Sequence, residues 1–341
     1  MLAARLYGKE DLRVEEIPTP EINENEMLLR VKAALICGTD VRMYKNGLGE
    51  YPRILCHEFA GVVEKVGANV PGYKAGQRVT VAPNIGCGIC DMCVFGLSHN
   101  CNKLVAIGIH LDGGYAEYVK IPSEALRLGN VVPISDSTSF EAAASNEALS
   151  CAFSAFERYN VIPGDTVVII GAGAIGLMHA KLAKMAGAAK VIMNDISETR
   201  LNEIVAIDPS IIAVKDDLAE HVHKETGGIG ANVVITACGA AKPQQVALEI
   251  AAMDGRVSFF GGLPKDKSQV LLDTNLIHYK QLIVTGTTRS SHKHYRSTLG
   301  FIANGLVDVD QLVTHRFPLE DIKSAFSNAI SAKGLRQAIA F

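Results

Sequence analysis

A chain of 341 residues with a formal net charge of −3 and 48% hydrophobic residues is long enough for two domains at roughly 100–200 residues each. Charged residues at 20% argue against disorder, and a pI near 6.4 gives no electrostatic reason to expect nucleic acid or an anionic membrane as partner. Eight cysteines and no tryptophan mark the composition. The opening MLAARLYGKEDLRVEEIP lacks the basic-then-apolar layout of a secretory signal. Uncharged stretches such as Thr166 to Ala180, 15 residues with several glycines, fall short of a membrane span. The expectation is a cytoplasmic chain whose cysteines serve as thiols and metal ligands, not as a disulfide framework.

The first 120 residues read as β structure cut by turns: Met27–Ala34, Gly61–Val66 and Gln77–Ala82 are β-prone and separated by Gly, Pro and Asn. From about Ser139 the texture changes. An Ala-rich helix over Phe140 to Tyr159 leads through Pro163-Gly-Asp165 into a buried strand, Thr166–Ile170. Alternation follows: helix Ala174–Gly187, strand Lys190–Asn194, helix near Glu198–Ile207, strand Ile211–Val214 and helix near Asp216–Thr226. Then come strand Ala231–Ala237, helix Lys242–Met253, and strands Arg256–Phe260 and Leu282–Gly286. Apolar runs of about five residues between helices are what a parallel sheet covered on both faces requires. Helices at His292–Asn304 and Leu319–Ala332 and a last strand, Gln337–Phe341, close the chain. The reading is α/β: a β-rich body over 1–147 and 287–341, with a doubly wound domain inserted at 148–286.

Gly171-Ala-Gly173-Ala-Ile-Gly176 follows the strand VVII and opens a helix. The first glycine allows the tight turn, the second lets backbone approach a pyrophosphate, and the third lets helix and strand pack, while the helix N-terminus offers free N–H groups. Asp195 stands 19 residues after Gly176, at the end of the next strand. That spacing suits a carboxylate accepting from ribose hydroxyls and repelling a 2′-phosphate, so NAD is expected ahead of NADP. Arg200, five residues on, is expected along the adenosine, though it is also the residue that would serve a 2′-phosphate.

Cys87, Cys90, Cys93 and Cys101 fall at spacings of three, three and eight, with Gly86, Gly88 and Gly96 loosening the backbone. Four thiolates so close can close a tetrahedral zinc shell with no open position, a structural site over 86–102. Four-cysteine iron–sulfur ligation is the chemical competitor. A second set is scattered: Cys37-Gly-Thr39-Asp40, His57-Glu58 and Glu147. A catalytic zinc wants mixed S, N and O ligands and one open position. Cys37, His57 and a glutamate would supply them, Asp40 would hold the free N–H of His57, and Thr39 would set a hydroxyl beside the bound oxygen. Composition alone does not join these residues.

Further motifs do. His57-Glu58-Phe-Ala-Gly61, Gly67 and Val70 match His-Glu-x-x-Gly-x5-Gly-x-x-Val, Gly76-Gln-Arg-Val79 is similar to a GDRV turn, and Asp112-Gly-Gly-Tyr-Ala-Glu117 follows. Over nearly its whole length the chain resembles the zinc-dependent medium-chain alcohol dehydrogenases, which implies a GroES-like catalytic domain beside a Rossmann domain. Glu147 in NEALS sits where the polyol branch has Glu-Pro-Leu, and Tyr44-Lys-Asn-Gly47 with Tyr51-Pro52 resembles the galactitol-phosphate type. The resemblance implies one catalytic zinc on Cys37 and His57, with Glu58 and Glu147 contributing directly or through water, and one structural zinc. It also places Ile175, Gly262, Thr288 and Arg289 with the glycine turn at the cofactor.

The implied reaction is oxidation of a secondary alcohol of a polyol or polyol phosphate to a ketone, with hydride passing to the nicotinamide and Thr39 taking the hydroxyl proton. Threonine-type or simple-alcohol oxidation is the alternative, and a non-catalytic zinc- and nucleotide-binding regulator stands further off. A homodimer or homotetramer is expected from the branch. Three residues depart from the pattern. Cys56 replaces the glycine before His-Glu, Ala148 replaces the proline after Glu147, and Arg42 stands where many relatives carry the histidine that ends the proton relay. Arginine does not take up a proton at working pH.

Overall fold

The computed structural model describes residues Met1–Phe341. Two compact units emerge, one of Met1–Ser150 with Arg289–Phe341 and one of Cys151–Thr288.

The first unit is built on a seven-stranded sheet. Val131–Pro133, Arg78–Val81, Phe59–Val66, Met27–Leu35, Arg336–Ala340 and Val313–Pro318 lie in that order, and Tyr118–Ile121 also pairs with Met27–Leu35. Met27–Leu35 alternates poorly because it is buried almost throughout, as expected of a strand covered on both sides. Its neighbours run antiparallel to it, Ala34 opposite Phe59 on one side and Ile339 on the other. A three-stranded sheet of Asp11–Glu16, Leu2–Gly8 and Arg53–Ile54 completes the body, and Leu6, Leu29, Val31, Phe59, Tyr115 and Phe326 fill its core. The strand Val313–Pro318 and the helix Gly38–Asn46 have no counterpart in the sequence reading. The tail helix is shorter than expected: a 3-10 turn at Leu319–Asp321 precedes a helix limited to Ile322–Ile330.

The second unit is the expected doubly wound sheet. Six parallel strands run in the order Ile212–Val214, Lys190–Asn194, Thr166–Ile170, Ala231–Thr236, Ala251–Phe259 and Ile283–Gly286. The order reverses beside Thr166–Ile170, the crevice where such sheets bind ligands at their carboxyl ends. One boundary differs: the helix expected to reach Met253 stops at Ile250, and strand begins at Ala251. Lys280 explains the early stop, since its Nζ donates to the carbonyls of Leu248, Glu249 and Ala251 and so satisfies the helix end. A further short helix, Thr274–Tyr279, is capped by Asp273.

Candidate active site and metal centres

Sheet register brings the scattered residues together. The amide of Leu35 donates to the Glu58 carbonyl at 2.9 Å, and that of Ile36 donates to the Gln337 carbonyl at 3.0 Å. Three strand ends therefore coincide, with Cys37 leaving one, His57 and Glu58 entering the second and Arg336 opening the third. Cys37 is also the N-cap of helix Gly38–Asn46. Its Sγ accepts from the Thr39 amide at 3.5 Å, while Asp40 Oδ2 accepts from the Cys37 amide at 3.0 Å. This reciprocal cap fixes the thiol at the helix N-terminus.

One ligand atom each from Cys37, His57 and Glu58 lies within 4.8 Å of the others. His57 and Glu58 are buried, and His57 Nδ1, Glu58 Oε1 and Asp40 Oδ1 have no hydrogen-bond partner. Buried polar atoms left unsatisfied are costly; a cation held by the S, N and O donors would satisfy Glu58 Oε1, while His57 Nδ1 and Asp40 Oδ1 face each other. The donor set fits zinc. Burial by itself pushes the His57 pKa down, but the charges of Cys37 and Asp40 outweigh it and hold the imidazole well above its ordinary range. Protons and metal therefore compete for this ring.

Asp40 is fully buried. Its Oδ1 stands 3.6 Å from His57 Nδ1, an ion-pair distance beyond hydrogen-bond reach, and its Oδ2 accepts from the Tyr115 hydroxyl at 2.9 Å. Sequence reading missed Arg336, whose buried guanidinium donates to Glu58 Oε2. An arginine directly before the expected tail strand Gln337–Phe341 was the available signal, because a charge opening a buried strand needs a partner. Glu147 is buried on helix Phe140–Tyr159, and its carbonyl accepts from Ser150.

Two of the three departures acquire a physical setting. Cys56 adopts φ +83°, in the left-handed region that favours glycine. Its thiol is buried and donates to the Glu58 carbonyl at 3.3 Å, and burial pushes its pKa well up. Cys56 is thus a packed thiol. Arg42 is exposed and donates from Nη2 to Thr39 Oγ1 at 3.1 Å. Nothing in the structure explains Ala148 in place of proline.

The lobe cysteines also converge, their four sulfurs within 4.8 Å of one another. Gly86 makes room, since a Cβ there would lie 2.6 Å from Cys93 Sγ. The amides of Ile89 and Cys90 lower the Cys87 thiol to about 6, while burial pushes Cys93 up to about 12. Four sulfurs this close cannot all be thiolates unless a cation shares their charge.

In the second unit Gly171 has φ +122°, and a Cβ on Gly176 would meet the Gly171 carbonyl oxygen at 2.0 Å, so neither position tolerates a side chain. Gly173 caps helix Ala174–Met185 with no side-chain bond at that end, and Ile175 is half-buried on its first turn. Asp195 is oriented by two amides, Ala172 on Oδ2 at 2.8 Å and Ser197 on Oδ1 at 2.9 Å. The Arg200 guanidinium lies beside the turn, 3.9 Å from where a Gly173 Cβ would stand. Gly262 borders open space, and Thr288 is exposed at the end of the unit. Arg289, in the first unit, has φ +60° and donates to the His99 carbonyl at 3.4 Å.

Residues 23–135 match the alcohol dehydrogenase GroES-like domain and residues 174–304 the zinc-binding dehydrogenase domain. Sorbitol dehydrogenase of Bacillus subtilis (strain 168) is 32% identical over 98% of this chain and 94% of its own length. The chain belongs to the zinc-dependent medium-chain polyol dehydrogenase family. Within that family, L-threonine 3-dehydrogenase of Bacillus licheniformis is 34% identical over 94% of this chain and 92% of its own. A Sinorhizobium meliloti 1021 protein described as a zinc-binding dehydrogenase and bound to NADP superposes with a TM-score of 0.91 at 29% identity, over 100% of this chain and 99% of that one. No helix is long and apolar enough to cross a membrane.

Proposed function

We propose that this family member oxidises a secondary alcohol of a polyol or polyol phosphate to a ketone, passing hydride to NAD. The observation that carries the reading is the convergence of Cys37, His57 and Glu58 two residues from the Thr39 hydroxyl. These three residues, with Glu147 as a further donor, would hold one zinc, and Cys87, Cys90, Cys93 and Cys101 would hold a second. Zinc bound at the first site supplies a Lewis acid for the substrate hydroxyl, and the nicotinamide supplies the hydride acceptor.

The chain's own residues do the rest. Asp40 holds negative charge beside His57, and Arg336 takes one oxygen of Glu58 so that Oε1 stays free. Thr39 takes the hydroxyl proton. Because a guanidinium only donates, Arg42 occupies one lone pair of Thr39 Oγ1 and leaves the other to accept from substrate. Arg42 cannot pass the proton onward, so the relay ends in solvent. Asp195, held toward the glycine turn, supports NAD over NADP by repelling a 2′-phosphate. A homodimer or homotetramer in the cytoplasm completes the reading.

Purified protein assayed for NADH formation on sorbitol, galactitol phosphate, threonine and 2-propanol tests it. Turnover of the first or second supports the proposal, and turnover of only the last two contradicts it. A non-catalytic regulator would turn over none, and the intact three-donor cluster stands against that.

A further inference from the structure

Arg42 has a capacity that the proton relay leaves unused. It lies one turn along helix Gly38–Asn46 from Thr39 and donates to Thr39 Oγ1 through Nη2 at 3.1 Å. Asp40 and Met43 are the buried residues of that helix, whereas Thr39 is half-buried and Arg42, Lys45 and Asn46 are exposed. A spacing of three sets Arg42 beside Thr39, and spacings of three and four set Lys45 and Asn46 beside Arg42. The guanidinium therefore stands between the metal-ligand cluster and solvent, one hydrogen bond from the group that takes the hydroxyl proton.

A guanidinium carries five N–H donors arranged as two forks, Nε with one Nη and the two Nη together. Each hydrogen of Nη2 belongs to one fork, so the bond to Thr39 occupies one fork and leaves the other whole. No neighbouring acid fills it. Asp40 is the only acid between Gly38 and Gly49, and it is fully buried against His57 and Tyr115. Glu50, the next acid along the chain, pairs with Arg53. Lys45 adds a second positive charge to the exposed side of the helix. A substrate hydroxyl bonded to Thr39 Oγ1 lies within about 6 Å of Arg42 Nη2, since each of the two hydrogen bonds spans roughly 3 Å. The free fork is thus within reach of a group a few bonds from the reacting carbon. A planar two-donor cation matches a carboxylate or a phosphate, which set two oxygens on two N–H groups.

We propose that Arg42 selects the substrate: the alcohol carries an anionic group, a phosphate or a carboxylate, which the free fork holds while Thr39 holds the reacting hydroxyl. This rests on the secondary-alcohol oxidation proposed above and names the substrate class of that site, a polyol chain with a negative charge at one end.

Steady-state kinetics with NAD on the full-length, zinc-loaded protein test the assignment, with sorbitol and galactitol each compared with its phosphate ester and its aldonic acid. Within each set the carbon skeleton is shared and the charge at one end changes. Wild type should favour a charged member over its neutral parent in kcat/KM by about tenfold to a hundredfold, the worth of a charge-assisted hydrogen bond. Whichever of phosphate or carboxylate gains more identifies the anion. Arg42→Gln should bring the ratio toward one, chiefly by raising KM for the charged substrate. Arg42→Lys, which keeps the charge without the fork, should retain part of it. A residue that merely braced Thr39 would slow charged and neutral substrates alike. Zinc content and the far-ultraviolet spectrum establish that each variant is folded and loaded. Neutral polyols turned over as well as their charged forms would overturn the proposal and leave polyol oxidation standing. A charge preference that survived Arg42→Gln would overturn the assignment to Arg42. Turnover of none of these compounds would overturn the polyol reading along with it.

Discussion

The two metal-ligand clusters of the first unit reach similar compactness by opposite routes. In the lobe, four cysteines sit within one short loop, partly exposed, and their spacing alone brings the sulfurs together. Around Cys37 the donors come from separate strand ends, are mostly buried, and depend on a partner, Arg336, 278 positions from Glu58. The first cluster is a local object whose ligands order their own loop. The second is a product of sheet register, so a cost to the sheet is a cost to the chemistry. Removing metal should therefore loosen the lobe but leave the Cys37 site largely assembled.

The sharpest break in this comparison is Cys37→Ser. Loss of a ligand at the register-built site should cut kcat/KM on the order of a thousandfold or more, corresponding to several kcal/mol of lost Lewis-acid stabilisation, with the melting temperature little changed. Next is Arg336→Met, which leaves the Glu58 carboxylate buried without its counter-charge. Breaking such a pair should cost about 3–5 kcal/mol in urea unfolding, whereas a stability equal to wild type would show that Glu58 needs no partner. Asp40→Asn removes the charge that faces His57 and should weaken zinc at the Cys37 site by roughly 10–100-fold in chelator competition, with the lobe zinc unaffected.

The pH dependence should separate the clusters as well. His57 is held above its ordinary pKa by Cys37 and Asp40, so metal must displace a proton there, and affinity falls as pH falls. Zinc competition between pH 8 and pH 6 should weaken at the Cys37 site by up to about tenfold per unit for each proton displaced. Asp40→Asn removes one of the charges while keeping all three ligands, and should flatten that dependence. The smallest effect should come from Cys56→Gly. Relief of a left-handed backbone worth about 1–2 kcal/mol offsets loss of the buried thiol and its bond to the Glu58 carbonyl, leaving net stability within about 1 kcal/mol of wild type.

What could be read in advance follows the same division. The parallel sheet was legible because its strands are short apolar runs between helices, and the glycine turn because Gly171 and Gly176 occupy positions that a Cβ would block. The lobe was legible from spacing. The Cys37 set could be joined only through resemblance, since nothing local connects Cys37 to His57, and register does so only in the folded sheet. Arg336 was missed for the same reason. Strand Val313–Pro318 was missed because its burial is interrupted by exposed polar residues. The helix end at Ile250 was misplaced because its cap is a lysine thirty positions away. Cys56 was legible as an anomaly but not as a cause: the sequence showed a cysteine where glycine is usual, and only the backbone shows a positive φ accommodating it.

Zinc stoichiometry on the purified chain and on two single variants tests the central claim most directly. The account predicts two zincs per wild-type chain. Cys37→Ser should retain one zinc in a folded, inactive protein, and Cys93→Ser should retain one with the lobe open to protease. A single zinc in the wild type that survives Cys37→Ser would contradict a catalytic metal at the meeting of the three strand ends.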